Sequence, residues 1–279
     1  MLGLHRSGLG YYADIYEGGI FIAIAFLCSE VQELSWTLFM TFVLKENHGF
    51  NKMTINLFIS DKFKGIMLAL VLGGPIYYGF MYMIAFGGRQ FYLYLFGFTA
   101  VTLLILMNLI PNVIMPLFND YKELEGGHLK AKIVALATKL KFPLQKLFVV
   151  DASKRSSHSN AFYYGFCNNK RIVLFDTLLT QHEGEAGEEE ILGIVKHELG
   201  HWHHMHPLKM IIFSFLNLGL MFLLFSFSIN NHQILASFGF RQESNFVSFL
   251  IFLKLYEVVS WITQLIQNLL SRHFEYEAD

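Results

Sequence analysis

Apolar residues gather in five long stretches, at residues 19–44, 65–86, 91–117, 210–229 and 246–270. A helix that crosses the hydrocarbon core takes about 20 residues at ~1.5 Å each, so each stretch is predicted to span a membrane. The stretches are not uniform. The first carries Glu30, Gln32 and Glu33. The second contains Gly73-Gly74-Pro75, predicted to kink it. The third has Pro111 and Pro116 near its end. The fifth holds Lys254, Glu257, Gln264, Gln267 and Asn268.

A polar region, 119–209, separates the third stretch from the fourth. Leu129, Ile133, Leu136 and Leu140 recur at helical spacing and predict a helix over 129–140, after the loop at Gly126-Gly127. Short apolar runs predict strands at 147–150, 172–175 and 160–166, the last following a polar loop over 153–159. An acidic run, Glu183 to Glu190, opens a further helix, where negative charge opposes the dipole. Three parts result: a membrane region over 1–118, a polar region over 119–209 and a second membrane region over 210–279.

That further helix contains His197-Glu198-Leu199-Gly200-His201. Residues four apart share a helix face, so both histidines can point at one metal ion. Glu198 stands beside them as a candidate general base. Two neutral imidazoles and a carboxylate suit hydrolytic zinc. A catalytic zinc takes three protein ligands. A third histidine ten residues after the first is ruled out, because that place holds Pro207, and His204 stands where the same scheme wants Gly. The alternative is a glutamate from another helix with an aspartate four residues on, and Glu275 with Asp279 fits. Asp279 would accept the free ring N–H of a ligating histidine, a kind of support worth about 10–100-fold in affinity or activity. His203, His204 and His206 are rival ligands. The histidines that do not ligate are placed at the solvated helix end, and Glu277 is read as a surface charge.

Composition agrees with a membrane protein: 54% of the 279 residues are hydrophobic and only 15% charged, against about 25% in ordinary soluble domains. The net charge of −1 and the lack of a basic stripe argue against nucleic acid as a partner. Cys28 and Cys167 offer no disulfide framework. Lys45, Lys52, Lys62 and Lys64 mark one connection as cytosolic, while Arg89 and Arg241 stand alone in theirs. Counting helices forward puts 119–209 and the chain's end on the cytosolic side too.

Four phrases then resemble the type 1 CaaX prenyl proteases, integral-membrane zinc metalloproteases of the endoplasmic reticulum. They are SKRSSHSNAFYYG (153–165), KRIVLFDTLL (170–179), IVKHELGHW (194–202) and LSRHFEYEAD (270–279). They occur in the right order with similar gaps, and the resemblance covers nearly the whole chain. It implies an all-α polytopic membrane protein, a helical barrel around a water-filled chamber, with a small cytosolic α+β metalloprotease region. Glu30, Glu33, Lys254 and Glu257 would then line the chamber, since a charge at the bilayer centre costs on the order of 2.5–3.5 kcal/mol.

The resemblance also implies the reaction: removal of the C-terminal aaX tripeptide from prenylated (farnesylated) CaaX proteins at the membrane. One zinc ion would be held by His197, His201 and Glu275, with Glu198 as general base and then proton donor. Asn160 and Ala161 would hold the substrate backbone beside the zinc by strand addition. The implied compartment is the endoplasmic reticulum membrane, with the inner nuclear membrane as the alternative. The family has seven spans, so the chain is expected to be a fragment that starts at the third span and ends before the C-terminal part that steadies the oxyanion. Competing readings are a membrane quality-control zinc protease without a prenyl requirement, a non-catalytic membrane scaffold and a transporter.

Overall fold

The computed structural model describes residues 8–165, 168–182, 184–229, 231–240 and 244–279, with side chains from Tyr12 onward. Phe166, Cys167, Glu183 and Arg241, each used in the sequence reading, lie outside these residues. The chain forms two compact units. One holds the residues up to Ser35 with 63–104 and 211–268; the other holds 36–62, 105–210 and 269–279.

The apolar stretches fold as helices: α1 (Gly8–Phe39), α2 (Ile55–Phe86), α3 (Phe91–Leu109, continued through a π-helical turn and a short helix to Phe118), α7 (His206–Ser228) and α9 (Asn245–Ala278), with the short α8 (His232–Ser237) between the last two. Among the described residues four helical segments are long and apolar enough to cross a membrane: Ile55–Phe86, Gly88–Phe118, His206–Ser228 and Asn245–Ala278. The expected first span, 19–44, is not among them. Its helix forms as α1, continued by a π-helical turn over Met40–Leu44. The helix α2 continues through Pro75. π-Helical turns occur elsewhere, at Met40–Leu44 and at Ile110–Ile114, the second around Pro111, which has no N–H to give.

The first unit is held by aromatic packing. Phe222 and Phe225 are almost fully buried with Met81, Leu95 and Ile15. Phe225 meets Phe91 edge-on at 5.6 Å and Phe249 at 5.2 Å. Such pairs add about 0.5–1.5 kcal/mol beyond their buried area. Gly18 lets Tyr77 and Phe246 reach α1, for a Cβ there would lie 2.5 Å from the Tyr77 hydroxyl. That hydroxyl donates to the Ile15 carbonyl at 2.9 Å. Val71, Leu216, Phe227, Val258 and Trp261 remain exposed, as lipid-facing residues should.

The second unit contains the sheet. Its strands are β1 (Tyr121–Glu123), β2 (Leu144–Val150), β3 (Ala161–Tyr164) and β4 (Lys170–Phe175), in the order β1-β2-β4-β3. The β2–β4 pair is parallel and the other two are antiparallel. The three predicted strands are present, and β1 is added as an edge. The predicted helix over 129–140 is α4 (His128–Lys139), and α5 (Asp176–Gln181) leads into α6 (Gly184–His203). One core joins them: Ile133 and Ala137 of α4, Leu147, Ile172 and Leu174 of the sheet, Leu178 of α5, and Ile191, Val195 and Leu199 of α6. The acidic start of α6 does more than oppose a dipole. Glu188 accepts from His128 at 2.7 Å and pairs with Lys132 at 3.2 Å, tying α6 to α4.

Candidate metal centre

The core stripe of α6 sets the direction of its polar residues. Ile191, Val195 and Leu199 repeat every four residues and face the sheet. At about 100° per residue, His197 and His201 lie some 40° apart and roughly opposite Leu199. Core packing therefore turns both imidazoles away from the sheet as a pair.

The end of α9 comes to meet them. Phe274 and Ala278, four apart, are buried, so Glu275 and Asp279 share the adjoining face. Gly200 makes the approach possible. A Cβ at this position would lie 2.5 Å from the Ala278 carbonyl oxygen and 3.0 Å from its Cα. The Glu275 carboxylate then stands 3.3 Å from His197 Nε2 and 3.5 Å from His201 Nε2, and the two ring nitrogens are 3.2 Å apart. Three donor atoms thus surround one point, an arrangement able to hold a divalent cation. His197 donates from Nδ1 to Asp279 at 2.7 Å, leaving Nε2 to face that point.

Electrostatics separates the roles. Burial holds the His201 imidazole below the ordinary histidine range, against the opposing pull of Glu275. A neutral ring can ligate. Burial likewise pushes Glu198 above the usual glutamate range, with Glu275 adding to the rise and His197 opposing it. A raised carboxylate is suited to taking and returning a proton. On β3 the Tyr163 phenol is pushed up to about 12 by burial and then by Glu198.

The sequence reading brought together His197, His201, Glu275 and Asp279, and the structure joins those four. One assignment needs correction. His206 does not sit in solvent; it is 3% exposed, stacked on Phe274 at 4.3 Å. Glu277 is exposed, as expected, and accepts from His206 Nε2 at 2.9 Å. His206 does not continue α6. Met205 adopts a left-handed conformation (φ 57°), which ends α6 and restarts the chain at His206. His203 and His204 are exposed, as expected.

Asn160 and Ala161 lie at the free edge of the sheet. Phe175 N–H donates to the Asn160 carbonyl, so pairing alternation turns the Ala161 and Tyr163 amides outward from β4. The outward Ala161 N–H is capped by the Asn160 side chain at 2.8 Å.

Comparison with known proteins decides the family. The sequence pattern of Peptidase family M48 matches residues 123–279, the stretch that holds every residue of this centre. The chain belongs to peptidase family M48. A second M48 pattern, described as the CAAX prenyl protease N-terminal with five membrane helices, matches residues 4–120. M48 relatives include the CAAX prenyl protease 1 homologs of Oryza sativa subsp. japonica (41% identical) and Homo sapiens (36%), each aligned over 98% of this chain. The crystal structure of S. mikatae Ste24p superimposes with a TM-score of 0.88 at 36% identity, covering 95% of this chain and 64% of that one. The chain spans 64–65% of the length of the two curated relatives. The fold agrees with that membership, being mostly helical, with apolar helices long enough to cross a membrane and a small mixed sheet.

Proposed function

We propose that the chain carries a zinc endopeptidase centre that removes the aaX tripeptide from prenylated CaaX proteins at the endoplasmic reticulum membrane. The observation that carries this reading is the convergence of His197, His201 and Glu275 with Glu198 alongside. Zinc fits the donor set. Bonds of about 2.0–2.1 Å in a tetrahedron separate neighbouring ligand atoms by about 3.3–3.4 Å, and the three separations here are 3.2, 3.3 and 3.5 Å. When bound, zinc supplies Lewis acidity.

The remaining chemistry belongs to the protein. Glu198 takes a proton from the attacking water and delivers it to the leaving amide nitrogen. Asp279 keeps the His197 proton on Nδ1. The β3 edge holds the substrate backbone in extended form once Asn160 releases the Ala161 N–H. The relatives' names, CAAX prenyl protease 1, supply the substrate class. At ~1.5 Å per residue the 34-residue α9 is about 50 Å long, against a hydrocarbon core of about 30 Å. That excess length supports a reading in which its ligand-bearing end lies outside the bilayer, on the face the lysine count assigns to the cytosol.

The test is cleavage of a farnesylated CaaX peptide by purified protein in detergent, beside the unprenylated peptide. Release of the tripeptide from the prenylated peptide alone, lost with a chelator, is expected. Glu198→Gln should lower kcat by at least about 10²-fold, since proton transfer contributes on that order or more, while zinc binding persists. Equal cleavage of both peptides would rule out the prenyl requirement and favour a quality-control protease.

A further inference from the structure

We infer that His206 and Glu277 form a hydrogen-bonded relay that fixes the ring and proton of His201, as Asp279 does for His197. The inference rests on the metal-ligand reading above and extends it to two residues that bear no metal.

The geometry admits one consistent placing of protons. His201 Nε2 faces Glu275 and His197, so it is the ligating nitrogen and carries no hydrogen. Its proton is then on Nδ1, which lies 3.0 Å from His206 Nδ1. That contact is a hydrogen bond only if His206 Nδ1 is bare. The His206 proton is therefore on Nε2, where it is donated to Glu277 at 2.9 Å. Each ring nitrogen of His201 and His206 then has one role, donor, acceptor or ligand. His206 is held in place by burial and by its near-parallel stack on Phe274, with 10° between the rings. The same Glu277 oxygen lies 3.8 Å from Lys209 Nζ, and its other oxygen 4.0 Å from His273 Nε2.

A competing use of these residues is a second metal site, because donor atoms of His204, His206 and Glu277 come within 4.8 Å of one another. A cation on His206 Nε2 would drive the His206 proton to Nδ1, against the proton of His201 at 3.0 Å. The two arrangements exclude each other while His201 ligates through Nε2. The relay gives both nitrogens of the buried His206 ring a partner, and the second metal leaves a clash, so the geometry favours the relay.

Zinc affinity, measured by chelator competition on the purified protein, is the direct test. His206→Phe keeps the ring and its stack on Phe274 but offers no acceptor, and should weaken zinc binding about 10–100-fold. His206→Asn places an oxygen where Nδ1 was and should recover most of that loss. Glu277→Leu should weaken binding by a smaller factor, and Glu277→Gln, which keeps an acceptor, should not. Cobalt-loaded His206→Phe should show altered visible bands, because the His201 ring can turn. Unchanged affinity in His206→Phe, equal losses in the Phe and Asn variants, or two zinc ions per wild-type chain would each overturn the relay. His201→Ala separates the two readings. If it abolishes binding while His206→Phe does nothing, only the relay fails. If it too leaves zinc affinity intact, the metal site fails with it.

Discussion

At residue scale, the centre was readable where chemistry follows helix period and hidden where it does not. His197, Glu198 and His201 sit in one uninterrupted helix, so spacing alone placed them. Glu275 and Asp279 are four apart at the end of another. His206 is five residues after His201, a separation that would put it about 140° away around a continuous helix. Only the left-handed turn at Met205 returns it to the site, and nothing in a hydrophobicity pattern announces such a turn. Gly200 shows the same limit from the other side, because its need for a missing side chain comes from a helix 78 positions away. Gly200→Ala should push the 275–279 segment off α6, since the obstructing atoms are backbone and cannot swing aside. Zinc affinity should fall at least about tenfold, the low end for a disturbed ligand shell. Gly193→Ala, in the same helix with nothing within 4 Å of the added carbon, should instead stabilise by about 0.5–1 kcal/mol through helix propensity. A thermal melt and a zinc titration on both variants check the contrast.

At the scale of elements, the strands with apolar runs were legible and the pairing was not. β1 is three residues, Tyr-Lys-Glu, with no signal except the strand it joins. The parallel β2–β4 pair depends on a chain crossing that no local pattern encodes. What fixes the long loop between β2 and β3 is Arg155. Its guanidinium donates to Asp61 at 2.8 and 3.1 Å, to the Asn119 side chain at 2.7 Å and to the Phe118 carbonyl at 2.6 Å. Both charged side chains are less than one fifth exposed. Removing one partner of a largely buried pair strands the other, at about 3–5 kcal/mol. Arg155→Met should therefore lose roughly 2–4 kcal/mol, at the lower end because some water reaches the pair. Asp61→Asn combined with Arg155→Met should lose less than the two single losses summed. A double-mutant cycle in detergent measures that coupling; strict additivity would mean the clamp is not one unit.

At the scale of the molecule, the membrane class is plain from composition. The donor groups capable of holding a cation all fall in the sheet-bearing unit among the described residues. The other unit is held by packing of Phe222, Phe225 and their neighbours. Bound metal stabilises the state that binds it by RT ln(1 + [L]/Kd), about 2.7 kcal/mol at a hundredfold excess over Kd. Local opening that breaks the centre must overcome this, whereas opening elsewhere need not. Stripping zinc with a chelator should then speed amide hydrogen exchange in 195–206 and 270–279 by about 100-fold, the same free energy read as a rate. Amides of 91–95 and 222–225 should exchange as before. The alternative outcome is informative about the fold itself. Equal acceleration along the whole chain would mean that these amides exchange only through global unfolding, and that metal binding underwrites the stability of the aromatic core as much as that of the centre.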